Sequence, residues 1–354
     1  MHRQAHSAAT LPTELLHKPV FHRPLGAIPI ALGLAGLAVI GLPALTALEA
    51  PTLSTLANGQ WTAQVDEAIK SHNLLQSIAV PLWTLGTWTL FHEGCAGLLA
   101  DQQDVLYTTE ELAHDIPIAT GIATAIDRAT RLQALLPPNV NLVVVPVPDK
   151  VRVLAPFPLD PDQRSRYTVL VEALRGAGLS TVDLQAAFST APATSLYLRT
   201  DTHWSPAGAD LAAAAVAAAV PLRGDQPCAR TSEGPTRIEG DLLHFLPLGP
   251  FADQGPAPDT IFTGVCPPST GGLLDDSALP LILLGTSFSA RADWGFADAL
   301  HAHLSMDVLN LSEERVGPFI VADHILAAPP PELTDARLVI WELPERFLTL
   351  ETSR

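Results

Sequence analysis

From about residue 115 onward the chain alternates helix-period stretches with short, wholly apolar runs. Pro117–Leu136 spaces its apolar residues on one helical face and stops at Pro137-Pro138. Asn141-Leu-Val-Val-Val145 follows as a run of buried-strand type. Asp162–Arg175 predicts another helix, closed by Gly176 and Gly178, and Ser180–Leu184 a strand. Leu279–Leu284, Met306–Leu311 and Ala336–Trp341 predict three more strands. Ser205 and Pro206 make a helix start, a capping hydroxyl followed by proline where no amide hydrogen is needed, with the Ala-rich run to Val220 as its body. Further helices are expected around Trp61–Ile78 and from about Ser289 through His301. Strands alternating with helices imply βαβ units, hence an α/β fold with a parallel sheet covered on both faces.

Upstream, Leu25–Leu48 contains no charged residue and is long enough, as a helix, to span the ~30 Å core of a bilayer. Arg3, Lys18 and Arg23 precede it with only Glu14, whereas Glu49, Asp66 and Glu67 follow. That asymmetry predicts a transmembrane signal-anchor with the bulk of the chain outside the cytoplasm, in the periplasm. A cleaved signal peptide is the rival, since small residues stand near Ala44 and Ala47. The expected organisation is a tail over 1–24, the anchor over 25–48, a neck over 49–100 and one catalytic domain over 101–354. Within it, the Gly/Pro/Thr/Asp-rich 221–278 reads as an excursion from the sheet.

The 354 residues carry a formal net charge of −17, which argues against nucleic acid as a partner. None of the three cysteines stands in a CxxC pair, and no histidine spacing suggests a metal, so neither metal nor cofactor is expected. Cys228 and Cys266 share one Pro/Gly-rich region and could pair in an exported protein, leaving Cys95 free.

Two segments carry candidate chemistry. In Arg199-Thr-Asp-Thr-His-Trp-Ser-Pro206, Asp201 and His203 lie just before a helix N-terminus, where a carboxylate can orient an imidazole. A capped helix with a surface Asp and His nearby is the plainer reading. In Leu281-Ile-Leu-Leu-Gly-Thr-Ser287, Ser287 would sit where a buried strand turns into a helix, with Thr286 and Phe288 offering backbone amides to an oxyanion. Here a simple helix cap is the alternative. Together the two supply nucleophile, base and orienter for covalent acyl transfer.

Thr200-Asp-Thr-His-Trp204, Gly285-Thr-Ser287 with Trp294-Gly-Phe296, and Trp341-Glu-Leu-Pro-Glu-Arg-Phe347 resemble the AlgJ/AlgX family of alginate O-acetylation proteins. The resemblance covers roughly residues 85–350 and is closer to the membrane-anchored single-domain branch. It implies an SGNH-hydrolase-like α/β fold with permuted motif order, preceded by one transmembrane helix, and Ser287, His203 and Asp201 as the triad. It further implies an O-acetyltransferase acting on an exopolysaccharide such as alginate, at the bacterial inner membrane with its catalytic domain periplasmic. The polysaccharide would be the acceptor, and a membrane-embedded acyltransferase the partner supplying acetyl groups. A carbohydrate acetylesterase, or a non-catalytic polysaccharide-assembly scaffold, are the alternatives.

Secondary candidates each have a plainer reading. Trp204 and Trp294 could face a sugar ring or pack in the core. Gly317 could give a second oxyanion amide or simply form a turn. Lys150 could meet a polymer carboxylate or stand solvated. Glu342 and Arg346 are expected to form a structural salt bridge.

Overall fold

In the computed structural model, residues 50–57, 59–71, 74–267 and 281–351 are described. The uncharged run 25–48 and the expected strand start at residues 279 and 280 lie outside them. No described helix is long and apolar enough to cross a membrane. The chain divides into two compact units, Met1–Val80 and Pro81–Arg354. The described part of the first comprises α1 (Leu53–Ala57), α2 (Gln60–Ser71) and the start of α3 (Leu74–Phe91).

The second unit opens with a short antiparallel pair, β1 (Leu98–Ala100) and β2 (Leu106–Thr108). The α/β body follows: α4 (Ile118–Leu135), β3 (Asn141–Val147), α5 (Lys150–Leu154), α6 (Pro161–Gly176), β4 (Ser180–Thr181), α7 (Leu184–Phe188) and α8 (Pro206–Ala219). Next come the hairpin strands β5 (Thr231–Ile238) and β6 (Asp259–Val265), then β7 (Leu281–Leu284), α9 (Ser287–Ala290), α10 (Phe296–Leu304), β8 (Val308–Asn310), α11 (Pro318–Ala327) and β9 (Leu338–Pro344).

Five strands form one parallel sheet in the order β4-β3-β9-β7-β8. The period-2 alternation of each strand splits the core into two layers. Val143, Val145, Leu281, Leu283 and Ile340 face α7, α8 and α10. Leu142, Val144, Ile282, Leu284, Val339 and Trp341 face α4, α6 and α11. β3, β7 and β9 are buried on both faces, which explains why their sequences read as unbroken apolar runs. β5 and β6 pair antiparallel outside this sheet, and Cys228 and Cys266 are disulfide-bonded while Cys95 is free.

Two expected elements differ. Ser180–Leu184 is a two-residue strand that gives way to α7, because Asp183 caps that helix through the Ala186 amide. The single helix expected from Ser289 to His301 is two, α9 and α10. Gly295 separates them in the left-handed region (φ 65°), where a Cβ is disfavoured.

Candidate active site

Asp201 and His203 sit on a tight loop between a 3-10 turn and α8. An isolated bridge pairs Tyr197 with Trp204, and Leu198 N–H donates to His203 O (3.2 Å). Downstream, the Ser205 hydroxyl caps α8 by accepting from Gly208 N–H (3.1 Å), with Pro206 opening the helix. The loop thus closes on itself and turns the two side chains toward one another, although they are only two residues apart.

Their geometry is that of a base and its orienter. His203 Nδ1 lies 2.5 Å from Asp201 Oδ1, which also accepts from the His203 amide (2.9 Å). Asp201 Oδ2 accepts from Asp241 N–H (3.0 Å). Burial alone would raise the Asp201 carboxyl, but the His203 ring and the two amides outweigh it and hold it at about 2. A carboxylate kept ionised on Nδ1 fixes the proton there and leaves Nε2 as an acceptor. That nitrogen lies 2.7 Å from Ser287 Oγ.

Ser287 is the first residue of α9, directly after Thr286, the N-cap that joins it to the end of β7. It is half-buried, whereas Asp201 and His203 are buried. A short strand-to-helix turn at the carboxyl end of a central strand leaves the hydroxyl exposed and the helix amides behind it. The structure thus brings Asp201, His203 and Ser287 together from segments 84 residues apart.

Other expectations need correction. The Thr286 amide donates to Glu342 Oε2 (2.7 Å), so it is not free for an oxyanion. The amides of Ser287 and Phe288 stay at the turn, the latter making only a long contact to Thr286 Oγ1 (3.4 Å). Gly317 is the N-cap of α11, and a Cβ there would come within 3.0 Å of the Phe347 ring. Lys150 is not a solvated or sugar-facing lysine. It is fully buried, donating to the carbonyls of Leu106 (2.6 Å), Arg199 (3.1 Å) and Asp201 (3.0 Å). Burial pulls its ammonium down to about 8, and Glu111, Asp259, Asp201 and Asp241 pull the other way.

Trp204 and Trp294 are likewise fully buried, so neither offers a face to a sugar. Trp204 packs edge-on to Phe288 and donates from Nε1 to Phe288 O (3.0 Å), tying the Asp201–His203 loop to the Ser287 turn. Trp294 stacks on the His203 ring at 5.3 Å between centroids, and the Arg291 guanidinium lies over the Trp294 ring, 4.7 Å from its centroid. Glu342 makes no ion pair with Arg346; it hydrogen-bonds the Ser287 turn instead.

Several supporting residues carried no sequence signal. Asp241, in the excursion, accepts from Thr202 N–H (2.8 Å) and Oγ1–H (2.6 Å). Asp259 does the same for Thr200 (2.8 and 2.7 Å) and also accepts from Arg199 N–H (3.0 Å). The excursion thus braces the Asp-x-His loop from outside the sheet. Beneath it, Asp149 and Glu345 bind Arg166, and Glu345 also binds Arg152, joining the ends of β3 and β9 to α6. Among the described residues, two clusters have metal-ligand proximity, Asp201/His203/Asp241 and Cys228/Cys266/His301. In the first every acid already accepts from the loop, and in the second both sulfurs are committed to the disulfide.

A parallel α/β sheet with a serine at a strand-to-helix turn, served by an Asp-x-His pair, defines an SGNH-hydrolase-like acyl-transfer enzyme. A family profile described as "SGNH hydrolase-like domain, acetyltransferase AlgX" matches residues 99–345, and the chain belongs to that family. The probable alginate O-acetylase AlgJ of Pseudomonas syringae pv. tomato is 32% identical over 83% of this chain and 80% of its own length. Its counterpart in Pseudomonas aeruginosa is 29% identical over 96% of this chain and 92% of its own. The solved O-acetyltransferase domain of Pseudomonas putida AlgJ superposes with a TM-score of 0.62 at 31% identity, covering 73% of this chain and 94% of that domain.

Proposed function

We propose that this protein is an O-acetyltransferase that carries an acetyl group on Ser287 and delivers it to hydroxyls of an exopolysaccharide such as alginate. The observation that carries the chemistry is the hydrogen-bonded line from Asp201 through His203 to Ser287 Oγ. The substrate class comes from the alginate O-acetylases to which the chain is similar.

In the first half-reaction Ser287 Oγ attacks the acetyl carbonyl of the donor while its proton passes to His203 Nε2. Asp201 stabilises the resulting imidazolium, and the Ser287 and Phe288 amides face the developing oxyanion. The donor's leaving group departs with the proton from His203. In the second half, a sugar hydroxyl gives its proton to His203 and attacks the acetyl-serine carbonyl. Ser287 Oγ leaves and takes that proton back.

Membrane anchoring through residues 25–48, a periplasmic catalytic domain and a membrane-embedded acyltransferase as acetyl supplier belong to the same reading. Their support is the uncharged run and the Arg/Lys asymmetry around it. A tether would raise the local concentration of the two partners.

The test is intact-mass measurement of wild type and Ser287→Ala after exposure to p-nitrophenyl acetate, with and without an alginate oligomer. An acetyl-sized adduct on the wild type alone, discharged onto the oligomer, is expected. Discharge to water regardless of oligomer would make the protein an esterase, and an adduct on Ser287→Ala would displace the nucleophile.

A further inference from the structure

Glu342 lies within β9, the strand beside β7, and is fully buried. Its Oε2 accepts from Thr286 N–H (2.7 Å), Thr286 Oγ1–H (3.1 Å) and Ser289 Oγ–H (3.1 Å), and its Oε1 lies 3.2 Å from Thr286 Oγ1. Thr286 and Ser289 bracket Ser287 in sequence. The carboxylate fits beneath the turn only because residue 285 is glycine: a Cβ there would come within 2.4 Å of Glu342 Oε2. From the other neighbouring strand, Asn310 Nδ2–H donates to Ser289 O (2.8 Å), completing a seat for α9.

We propose that Glu342 is a positioning residue for acyl transfer, its carboxylate clamping the strand-to-helix turn so that Ser287 Oγ faces His203 and the Ser287 and Phe288 amides face the substrate. This rests on Ser287 being the nucleophile. By taking the Thr286 amide, the clamp also decides which amides are left for the oxyanion. Convergent N–H and O–H donors call for an acceptor-only partner, which is the ionised carboxylate. The groups facing it are Thr286 and Ser289 from the turn, and Arg346 from the segment after β9, whose charge favours ionisation. Burial acts the other way and is the larger effect, placing the carboxyl at about 7. The clamp is therefore complete above about 7 and weakens as the pH falls through that value.

The experiment is the pH dependence of kcat/KM for p-nitrophenyl acetate in wild type, Glu342→Gln, Glu342→Ala and, alongside, Ser287→Ala. Glutamine can present an oxygen to the Thr286 amide but does not titrate. Expected are a wild-type acid limb steeper than that of Glu342→Gln and, because the neutral amide stands in for the protonated acid, a Glu342→Gln kcat at pH 8.5 at least about tenfold below wild type. Glu342→Ala is expected to lose at least about 100-fold in kcat at pH 8.5 with KM little changed. An acid limb in Glu342→Gln as steep as that of the wild type, or either variant within about threefold of wild type in kcat at pH 8.5, overturns the proposal. If the alanine variant does not fold, the glutamine profile alone decides. Undiminished turnover by Ser287→Ala would instead remove the nucleophile on which the clamp depends.

Discussion

Asp201→Asn tests the catalytic reasoning with the least change in shape. Asp201 is fully buried and meets donors only: His203 N–H and Nδ1 on Oδ1, Asp241 N–H on Oδ2. An asparagine keeps one acceptor oxygen, so its NH2 must face a donor whichever way it turns. Turned toward Asp241, it leaves a buried amide unpaired. Turned toward His203, it selects the tautomer with the proton on Nε2, which then cannot accept from Ser287. Either way the negative charge that stabilises the imidazolium is gone. The expected loss in kcat is about 10³–10⁴-fold, or roughly 4–5.5 kcal/mol of barrier. Stability moves too. The folded carboxyl is held at about 2 against an ordinary 3.8, a difference equivalent to about 2 kcal/mol. This contribution is complete above the ordinary value and disappears as pH falls through about 2. Urea unfolding at pH 7 should therefore find Asp201→Asn about 2 kcal/mol less stable than wild type, with the gap narrowing as the pH falls from about 4 toward 2. Activity within tenfold of wild type, or a stability gap that does not shrink with acid, would refute the assignment.

Ser287→Ala should fold normally and lose at least about 10³-fold in p-nitrophenyl acetate turnover, read by stopped-flow absorbance. Lys150→Met leaves the carbonyls of Leu106, Arg199 and Asp201 without their donor. It should cost about 3 kcal/mol in urea unfolding and lower kcat by loosening the Asp201 loop. Trp294→Leu opens space beside His203, with a loss of about 2–4 kcal/mol in thermal unfolding and a reduced kcat at unchanged KM. Cys228→Ser releases a cross-link between residues 38 apart and should lower stability by about 4 kcal/mol in denaturant titration, with turnover of p-nitrophenyl acetate retained.

The elements that proved legible are those whose cause is local. β3, β7 and β9 read as strands because burial on both faces makes them continuously apolar. The start of α8 was visible in Ser205-Pro206 because a cap needs only its own next turn. The candidate trio was legible for a similar reason: Asp201 and His203 share one loop, and Ser287 sits at a recognisable strand end. Residues whose partners are distant in sequence were misread or missed. Lys150 as a free chain is a solvated cation. It becomes a buried strut only because the fold brings Leu106, Arg199 and Asp201 around it, 44 to 51 residues away. Glu342 looked ready to pair with Arg346, four positions on, yet it reaches 56 residues back to Thr286 because β9 lies beside β7. Asp241 and Asp259 were ordinary acids of a Gly/Pro-rich excursion until that excursion folded over the Asp-x-His loop. The sequence by itself thus determined the strands and the caps, and marked Asp201, His203 and Ser287 as candidates, through periodicity and local hydrogen bonding. The tertiary structure alone decided what holds those atoms in place. Strand order and long-range burial choose the partner of each buried charge, and neither is written in any short stretch of chain.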